Sequence, residues 1–370
     1  MTHPAAPLTP ADLGFRMPAE FAPHDACWML WPQRPDNWRY GAKPAQAAFV
    51  EVASAIAESE TVFVGVNDDQ YENARHRLPS HVRVIELSSN DAWMRDVGPT
   101  FLTHPDGRLA MVDWEFNAWG GLDGGLYFPW DKDRRIRQKI AEILGIPRFT
   151  APLVLEGGAI HVDGEGTLIA TEECLLNPNR NPGLGRAEIE RLLRAYLGVE
   201  TILWLPRGCY QDETDGHVDN LCCFVAPGEV ALTWCADERD PQHAISREAL
   251  AILEAATDAR GRRLTVHRLP MPGPLAIAEA EAGGVDRLSS SRPRQSGDRL
   301  AGSYVNFYIG NSVVVMPRLD PAHDDAARAI LERLFPGRRV VGIDAREILL
   351  GGGNIHCITQ QQPAARPCRP

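Results

Sequence analysis

Residues 185–205 read GRAEIERLLRAYLGVETILWL, and this stretch decides the fold. Apolar residues recur at helical spacing over 185–197, with charged residues between them, which predicts an amphipathic helix. The run 201–205 that follows is short, apolar and β-branched, as is typical of a buried strand. The stretch therefore predicts a helix that leads directly into a strand.

The same order of helix and strand recurs five times along the chain, which indicates an internal repeat. The predicted helices cover residues 44–60, 132–144, 185–197, 242–260 and 322–335. The strands that follow them cover residues 61–66, 153–155, 201–205, 264–269 and 339–343. Further apolar strands are predicted after polar, glycine-containing turns, at 159–162, 220–225, 304–308 and 354–358.

Each unit therefore resembles ββαβ, in a chain of the α/β class. Five such units favour a five-bladed, pseudo-symmetric α/β-propeller whose site lies where loops from several units converge. An open α/β sheet is the alternative. No linker divides residues 1–370, so we expect a single domain. The polar segment 283–302 lacks periodicity and is either a lid over the site or a surface insertion.

Composition excludes several classes of protein. The 370 residues are 44% apolar and carry a formal net charge of −11, which argues against nucleic acid and anionic membranes as partners. No long apolar run and no signal peptide is present, so we expect a cytoplasmic protein. The eight cysteines form no CxxC pair and there is no HExxH motif, which predicts reduced thiols and no metal.

Reactive and polar residues are concentrated in four islands, each of which contains glycine. These are residues 93–100, 156–158, 212–220 and 351–357. Cys357 follows three consecutive glycines, which allow a ligand to approach the backbone closely. A nucleophilic cysteine needs a histidine from elsewhere in the chain, and His217 is the best candidate. On an extended strand, His217 and Asp219 would face the same side.

Asp96 is expected to be a free carboxylate, since its neighbour Arg95 would point the other way on a strand. Together with Asp219, Glu213 and Trp93 it would suit a flat, delocalised cation. A guanidinium group fits best, because its N–H donors pair bidentately with carboxylates. The sequence thus predicts that Cys357 and His217 act on a guanidinium held by carboxylates.

These islands resemble those of the agmatine deiminases, within the guanidino-group modifying superfamily that includes arginine and peptidylarginine deiminases. Residues 14–21, 27–32 and 303–308 are similar to the agmatine deiminases in particular. The resemblance implies a pentein-type propeller, a homodimer, no cofactor, and hydrolysis of agmatine to N-carbamoylputrescine and ammonia through an amidino-cysteine. It also implies a role for each of seven residues: Cys357 as nucleophile, His217 as general acid/base, Asp96 and Asp219 as guanidinium ligands, Trp93 and Glu213 as substrate contacts, and Glu156 as a group that orients His217.

Two other functions remain open at this stage. An amidinotransferase would share the fold and the covalent step but pass the amidino group to an amine. A non-enzymatic polyamine-binding protein would need the acidic site but not Cys357. For the substrate, Glu213 and Asp215 near the site favour the free amine of agmatine over the carboxylate of arginine.

Overall fold

The computed structural model describes residues 8–365, and within them the chain belongs to the α/β class. Cys368 lies outside this range. Sixteen strands form five separate sheets. The strands are β1 His24–Leu30, β2 Thr61–Val66, β3 Arg83–Glu86, β4 Thr100–Thr103, β5 Leu109–Glu115, β6 Arg148–Val154, β7 Ile160–Val162, β8 Thr167–Thr171, β9 Thr201–Leu205, β10 Cys222–Ala226, β11 Glu229–Trp234, β12 Thr265–Pro270, β13 Tyr308–Ile309, β14 Val313–Arg318, β15 Arg339–Asp344 and β16 Gln360–Pro363.

Twelve α-helices, several of them single turns, connect the strands of the described chain. They are α1 Lys43–Ile56, α2 Tyr71–Arg77, α3 Met94–Val97, α4 Gly121–Gly124, α5 Ile136–Leu144, α6 Glu172–Leu175, α7 Arg186–Leu197, α8 Val218–Leu221, α9 Pro241–Ala255, α10 Glu279–Ala282, α11 Asp324–Leu334 and α12 Arg346–Leu350. Within residues 8–365, no helix has the length and apolar character needed to cross a membrane.

Every sheet contains the same unit. An antiparallel pair of strands is followed by a long helix and then by a strand parallel to the second member of the pair, as in β4, β5, α5 and β6. The ββαβ order predicted from the sequence is therefore present in all five sheets. The unit of the first sheet is assembled from both ends of the described chain, because β16 pairs antiparallel with β1 and β3 is added beyond β2.

The five predicted helices correspond to α1, α5, α7, α9 and α11, with different ends. The largest difference is at α9, predicted over 242–260 but ending at Ala255. Asp258 explains the early end, because its carboxylate accepts the backbone N–H groups of Arg260 and Arg262 at 2.9 and 2.8 Å. Such a side-chain turn competes with helical hydrogen bonding.

Two predicted strands are largely wrong. Residues 354–358 form a turn, and of 304–308 only Tyr308 enters a strand. Asparagine side chains take up backbone N–H groups that a strand ladder would use: Asn354 Oδ1 accepts from Ile355 at 2.9 Å and Asn306 Oδ1 accepts from His356 at 2.9 Å. Cys357 therefore lies on a turn before β16 and not on a strand.

The region 217–221 also differs from its predicted conformation. Residues 220–225 were expected to form a strand, whereas α8 occupies Val218–Leu221 and the strand begins at Cys222. His217 precedes this helical turn and Asp219 lies within it. The expectation that both residues face one side of a strand is wrong, although both side chains reach the same site.

Apolar residues on the helices pack against their own sheets. In α7, Ile189, Leu193 and Leu197 lie in one buried cluster with Leu168 of β8. These positions carry the helical spacing seen in the sequence, so burial of that face attaches the helix to the sheet. The seven described cysteines are all free and buried, consistent with the prediction of reduced thiols.

One buried arginine joins several segments near the centre of the molecule. Arg137 of α5 is fully buried and donates to the carbonyl oxygens of Trp114 at 2.6 Å and Gly98 at 3.0 Å. It also donates to the carbonyl oxygens of Asp96 and Leu155. Four carbonyl groups, from β5, from α3 and its C-terminal end, and from the residue after β6, thus depend on one guanidinium group.

Replacing Arg137 with methionine should lower the free energy of unfolding by about 3 kcal/mol, because buried carbonyl groups would lose their donors. Chemical denaturation of the purified variant measures the change. Arg134→Met is the matched control, since Arg134 pairs with Glu115 at the surface and its loss should cost at most about 0.5 kcal/mol. Equal stability of the two variants would contradict the role given to Arg137.

Candidate active site

Five connections meet at one buried region, and each lies just before the first strand of an antiparallel pair. The segments, in chain order, are α3 before β4, the turn Gly157–Ala159 before β7, His217 with α8 before β10, residues 303–307 before β13 and residues 351–359 before β16. The repeat therefore presents one segment from each sheet to a common space. All four islands singled out in the sequence contribute to it.

Gly158 shows how closely the side chains approach one another. A β-carbon built on it would lie 2.6 Å from His217 Nδ1, 2.8 Å from Asp219 Oδ2 and 3.0 Å from Asp96 Oδ1. No other residue type fits there without displacing these three side chains. Glycine at position 158 therefore keeps the space between the imidazole and the two carboxylates open.

The sulfur of Cys357 lies beside one of these carboxylates. Cys357 Sγ is 3.7 Å from Asp219 Oδ2 and 3.3 Å from the amide nitrogen of Asn306. The same amide nitrogen donates to Asn220 Oδ1 at 3.0 Å, which fixes its orientation toward the sulfur. Burial raises the pKa of the Cys357 thiol well above its ordinary value, and the charges of Asp219 and Asp96 raise it further.

His217 lies between two carboxylates. Its Nδ1 is 3.8 Å from Asp96 Oδ1, and its Nε2 is 3.7 Å from Glu156 Oε2. Burial disfavours the imidazolium, but the charge of Asp96 and the contact with Glu156 outweigh burial and hold the pKa of His217 well above its ordinary value. These neighbouring carboxylates therefore favour the imidazolium form of the ring.

The second oxygen of Glu156 is occupied by an arginine. Arg180 Nε donates to Glu156 Oε1 at 2.8 Å, and both side chains are fully buried. Burial alone would raise the pKa of Glu156, but the charges of Arg180 and His217 lower it to about 2. Glu156 is thus a permanent carboxylate held at Nε2 of His217, on the side of the ring away from Asp96.

The two guanidinium-binding candidates are held differently. Asp96 accepts from the backbone N–H of Gly158 and from Trp119 Nε1, both at 2.9 Å. Arg95 makes no pair with Asp96 and instead donates to Glu20 at 2.9 Å. Asp219 Oδ1 is buried without any hydrogen-bond partner. An unpaired, buried carboxylate oxygen is costly, so this atom marks a place for a donor.

Trp93 and Glu213 lie at the outer end of the site, where they line a small cavity. Trp93 stacks on Trp38 with ring centroids 5.1 Å apart. Glu213 is not free: Arg294 Nε and Nη2 donate to its two oxygens at 2.8 and 2.6 Å. Arg294 also donates to Asn37. Arg294 of the segment 283–302 thus reaches the cavity, while the choice between a lid and a surface insertion stays a prediction.

Asp215 does not belong to the cavity. Its carboxylate accepts from Arg180 Nη1 at 2.7 Å and from Asn179 Nδ2 at 2.8 Å, and its backbone has a left-handed φ of 62°. The turn directs the side chain toward Arg180 and away from Glu213. The expectation that Asp215 contributes negative charge to the substrate pocket is therefore wrong.

Two clusters of ligand-type side chains occur within residues 8–365: Glu20 with His161 and His356, and Glu156 with Cys174 and His217. A histidine coordinates a metal through a free lone pair. Both ring nitrogens of His356 already face carboxylate oxygens, and the raised pKa of His217 disfavours the neutral ring that a metal requires. Neither cluster is assigned to a metal, and the predicted absence of one stays a prediction.

Sequence reasoning gave no role to three contributors to the site. Asn306 could have been found from the repeat, because it lies in a connection equivalent to those that carry Asp96 and Cys357. Trp119 and Arg294 give no such signal, since they reach the site from the turn before α4 and from the irregular segment 283–302.

Comparison with known proteins agrees with this geometry. The model of the family described as Porphyromonas-type peptidyl-arginine deiminase matches residues 16–363. An agmatine deiminase of Pseudomonas aeruginosa is 59% identical over 368 residues, covering 99% of this chain and 100% of the relative. One from Ectopseudomonas mendocina is 58% identical over 358 residues, covering 96% and 97%.

Solved structures give the same result. An agmatine deiminase of Enterococcus faecalis matches with a TM-score of 0.95 at 45% identity, covering 98% of this chain and 100% of that chain. A substrate-bound agmatine deiminase of C. jejuni matches with a TM-score of 0.80 at 24% identity, covering 94% and 96%, which shows a shared fold. The chain therefore belongs to the agmatine deiminase family, within the Porphyromonas-type peptidyl-arginine deiminases.

Proposed function

We propose that this protein hydrolyses agmatine to N-carbamoylputrescine and ammonia, with Cys357 as the nucleophile. The observation that carries the proposal is the meeting of one thiol, one imidazole and two carboxylates around the open space beside Gly158. The names of the relatives support agmatine as the substrate. Agmatine combines a guanidinium group with a primary amine, so both ends of the substrate are cationic.

Asp96 and Asp219 hold the guanidinium group in this scheme. The unpaired Oδ1 of Asp219 accepts one of its N–H groups, and Asp96 accepts others through the lone pairs that Gly158 and Trp119 leave free. Bidentate pairing fixes the plane of the guanidinium group. Its central carbon then faces the sulfur of Cys357, which lies beside Asp219.

The reaction proceeds in two halves. The thiolate of Cys357 attacks the guanidinium carbon and forms a tetrahedral adduct, and His217 donates its proton to the departing ammonia. An amidino group remains bonded to the sulfur. A water molecule then loses a proton to His217 and attacks the same carbon, and the C–S bond breaks to return the thiolate and release the ureido product. Glu156 keeps His217 oriented through both halves.

The substrate assists the ionisation of its own nucleophile. In the empty site, burial and two carboxylates raise the pKa of the Cys357 thiol. A guanidinium group bound between Asp96 and Asp219 neutralises these charges, so that the thiol loses its proton more easily.

The outer part of the cavity fits the amine of agmatine through Glu213. Arg294 donates hydrogen bonds to both oxygens of this carboxylate. A bound ammonium group therefore shares Glu213 with Arg294 or replaces Arg294 there. Trp93 lines the same cavity as Glu213 and lies near Cys357 across Gly353, so in this scheme its ring packs against the aliphatic chain of the substrate. The preference for agmatine over arginine was based on two acidic residues, Glu213 and Asp215. Because Asp215 binds Arg180 instead, the preference now rests on Glu213 alone.

We also propose that the five sheets are the blades of a five-bladed α/β-propeller of the pentein type, and that residues 1–370 form a single catalytic domain. The recurrence of the ββαβ unit and the pairing of β16 with β1 support this arrangement. A homodimer and a cytoplasmic location are proposed on the family resemblance. The reaction has no redox step, so no cofactor is proposed, and the acidic composition gives no reason to expect nucleic acid or membranes as partners.

The direct test is ammonia release from agmatine by the purified protein. Cys357→Ala should abolish turnover, because no other described thiol lies against Asp219 and Asn306. Cys235→Ala is the matched control, since Cys235 contacts the carbonyl of Asp237 outside the site and its loss should leave turnover unchanged. Equal activity of Cys357→Ala and the wild type would refute the proposal, and so would faster turnover of free arginine or a peptidyl-arginine.

The covalent step can be tested by mass spectrometry of protein quenched during turnover. A mass increase equal to agmatine minus ammonia is expected on the peptide that contains Cys357. The adduct should accumulate in His217→Ala if hydrolysis stalls. The same adduct in Cys357→Ser would contradict the mechanism.

Asp96→Asn should change two properties in opposite directions. Removing a negative charge near the sulfur lowers the pKa of the Cys357 thiol, so alkylation of Cys357 by iodoacetamide at pH 8 should become faster. Deimination of agmatine should nevertheless fall by about 100-fold or more, because one guanidinium ligand is lost. Peptide mapping measures the alkylation, and Asp113→Asn, where Arg148 is the partner, should alter neither property. Slower alkylation in Asp96→Asn would contradict this account.

Glu213→Gln should raise KM for agmatine by about tenfold, the equivalent of one charge-assisted hydrogen bond. For butylguanidine, which lacks the amine, KM should change little. Asp215→Asn tests whether the effect belongs to Glu213, because it removes one negative charge from the same island outside the cavity. An equal rise for both substrates, or an equal rise in Asp215→Asn, would count against the contact between Glu213 and the amine.

A further inference from the structure

His356 immediately precedes Cys357 and is used by no step described so far. Its ring is buried, and both of its nitrogens face carboxylates. Nδ1 lies 2.8 Å from Asp219 Oδ2, and Nε2 lies 2.9 and 3.0 Å from the two oxygens of Glu20. The ring therefore joins the carboxylate beside the sulfur to a second carboxylate deeper in the protein.

These contacts determine the protonation state of the ring. An ionised carboxylate only accepts hydrogen bonds, so both nitrogens of His356 must donate and the ring is an imidazolium. Burial and the charge of Arg95 oppose this charge, but Glu20 and Asp219 outweigh them and raise the pKa of His356. The hydrogen bond also affects Asp219. Burial alone would raise the pKa of this carboxyl group, but the hydrogen bond from His356 outweighs burial and lowers it.

Glu20 is itself held on the far side of the imidazolium. Arg95 Nη1 donates to Glu20 Oε1 at 2.9 Å, and His161 Nε2 lies 3.5 Å from Oε2. His161 Nδ1 accepts the backbone N–H of Phe224 at 3.2 Å, so its proton is on Nε2 and the ring is neutral. Within this group two carboxylates face one imidazolium and one guanidinium, so the buried charges cancel.

The consequence for the site lies at Asp219. Its Oδ2, the oxygen nearest to the sulfur, is bound to His356, while its Oδ1 stays unpaired. The imidazolium thus decides which oxygen is left for substrate. It also places a positive charge behind the carboxylate that would otherwise repel a thiolate on Cys357.

We propose that His356 is a positioning residue: held as an imidazolium by Glu20, it orients Asp219 toward the guanidinium group and stabilises the thiolate of Cys357. The inference deepens the proposed function and rests on it for the part that concerns substrate. The part that concerns the sulfur can be measured without substrate.

Two substitutions separate charge from orientation. His356→Asn retains a donor near the position of Nδ1 and can still bind Asp219, whereas His356→Gln retains a donor near Nε2 and reaches toward Glu20. Both remove the positive charge, so the pKa of the Cys357 thiol should rise in both. Alkylation of Cys357 by iodoacetamide at pH 8 should slow by about tenfold. KM for agmatine should rise more in His356→Gln than in His356→Asn.

His24→Gln is the matched control. His24 is also a buried histidine bound to a carboxylate, Glu60, but it has no contact with Asp219. Its substitution should leave the alkylation profile of Cys357 unchanged. An unchanged profile in folded His356 variants, with circular dichroism like that of the wild type, would overturn the inference. Absence of ammonia release by the wild type would instead refute the proposed function, so the two failures are distinguishable.

A second measurement applies if the His356 variants do not fold. The protein for this measurement carries His217→Ala and His24→Gln, because both ring nitrogens of His24 also face acceptors, and it is labelled with nitrogen-15 at histidine. One ring should keep both nitrogens protonated at pH 8, well above the ordinary range of histidine. The loss of every such signal at that pH would overturn the inference.

Discussion

The structure depends on burying several carboxylates around one sulfur atom while balancing their negative charge. Asp96, Glu156, Asp219 and, one layer deeper, Glu20 are all buried close to Cys357. Desolvated carboxylates at this density are tolerated only with paired cations and hydrogen-bond donors. Arg180 and His217 lie beside Glu156. Arg95 lies beside Glu20, and His356 lies beside Asp219. These four carboxylates are matched by four cationic side chains, so the site attracts a cation through an unpaired acceptor atom, Asp219 Oδ1, and not through excess charge.

The repeat explains how five remote stretches reach one place. Each ββαβ unit contributes the connection before its first strand, so a site residue can be supplied by every sheet without any long loop. Glycine at positions such as 158 lets these connections approach one another. The repetition does not extend to the chemistry, since the five connections carry different side chains: two carboxylates, a histidine, an amide and a thiol among them.

Much of this could be read from the sequence, because helical periodicity and apolar strands are local signals. The helix at Arg186–Leu197 and the strands at Thr61–Val66 and Thr201–Leu205 lie where they were expected, within one residue. The strand predicted at residues 354–358 is wrong, because apolar residues there pack in a turn whose backbone N–H groups are bound by asparagine side chains. The ion pair of Glu213 with Arg294 joins residues 81 positions apart in the sequence, and no local sequence pattern predicts such a contact.

The pairing of β1 with β16 has a consequence for how the protein is made. The hydrogen bond from Trp28 to Gln362 spans 334 residues, and Cys357 lies three residues before β16 begins. A chain synthesised from its amino terminus therefore cannot position the sulfur until nearly all of residues 8–365 have left the ribosome. Closure of so long a loop is entropically slow. The reactive centre therefore forms late in folding, and incomplete chains lack a correctly positioned nucleophile.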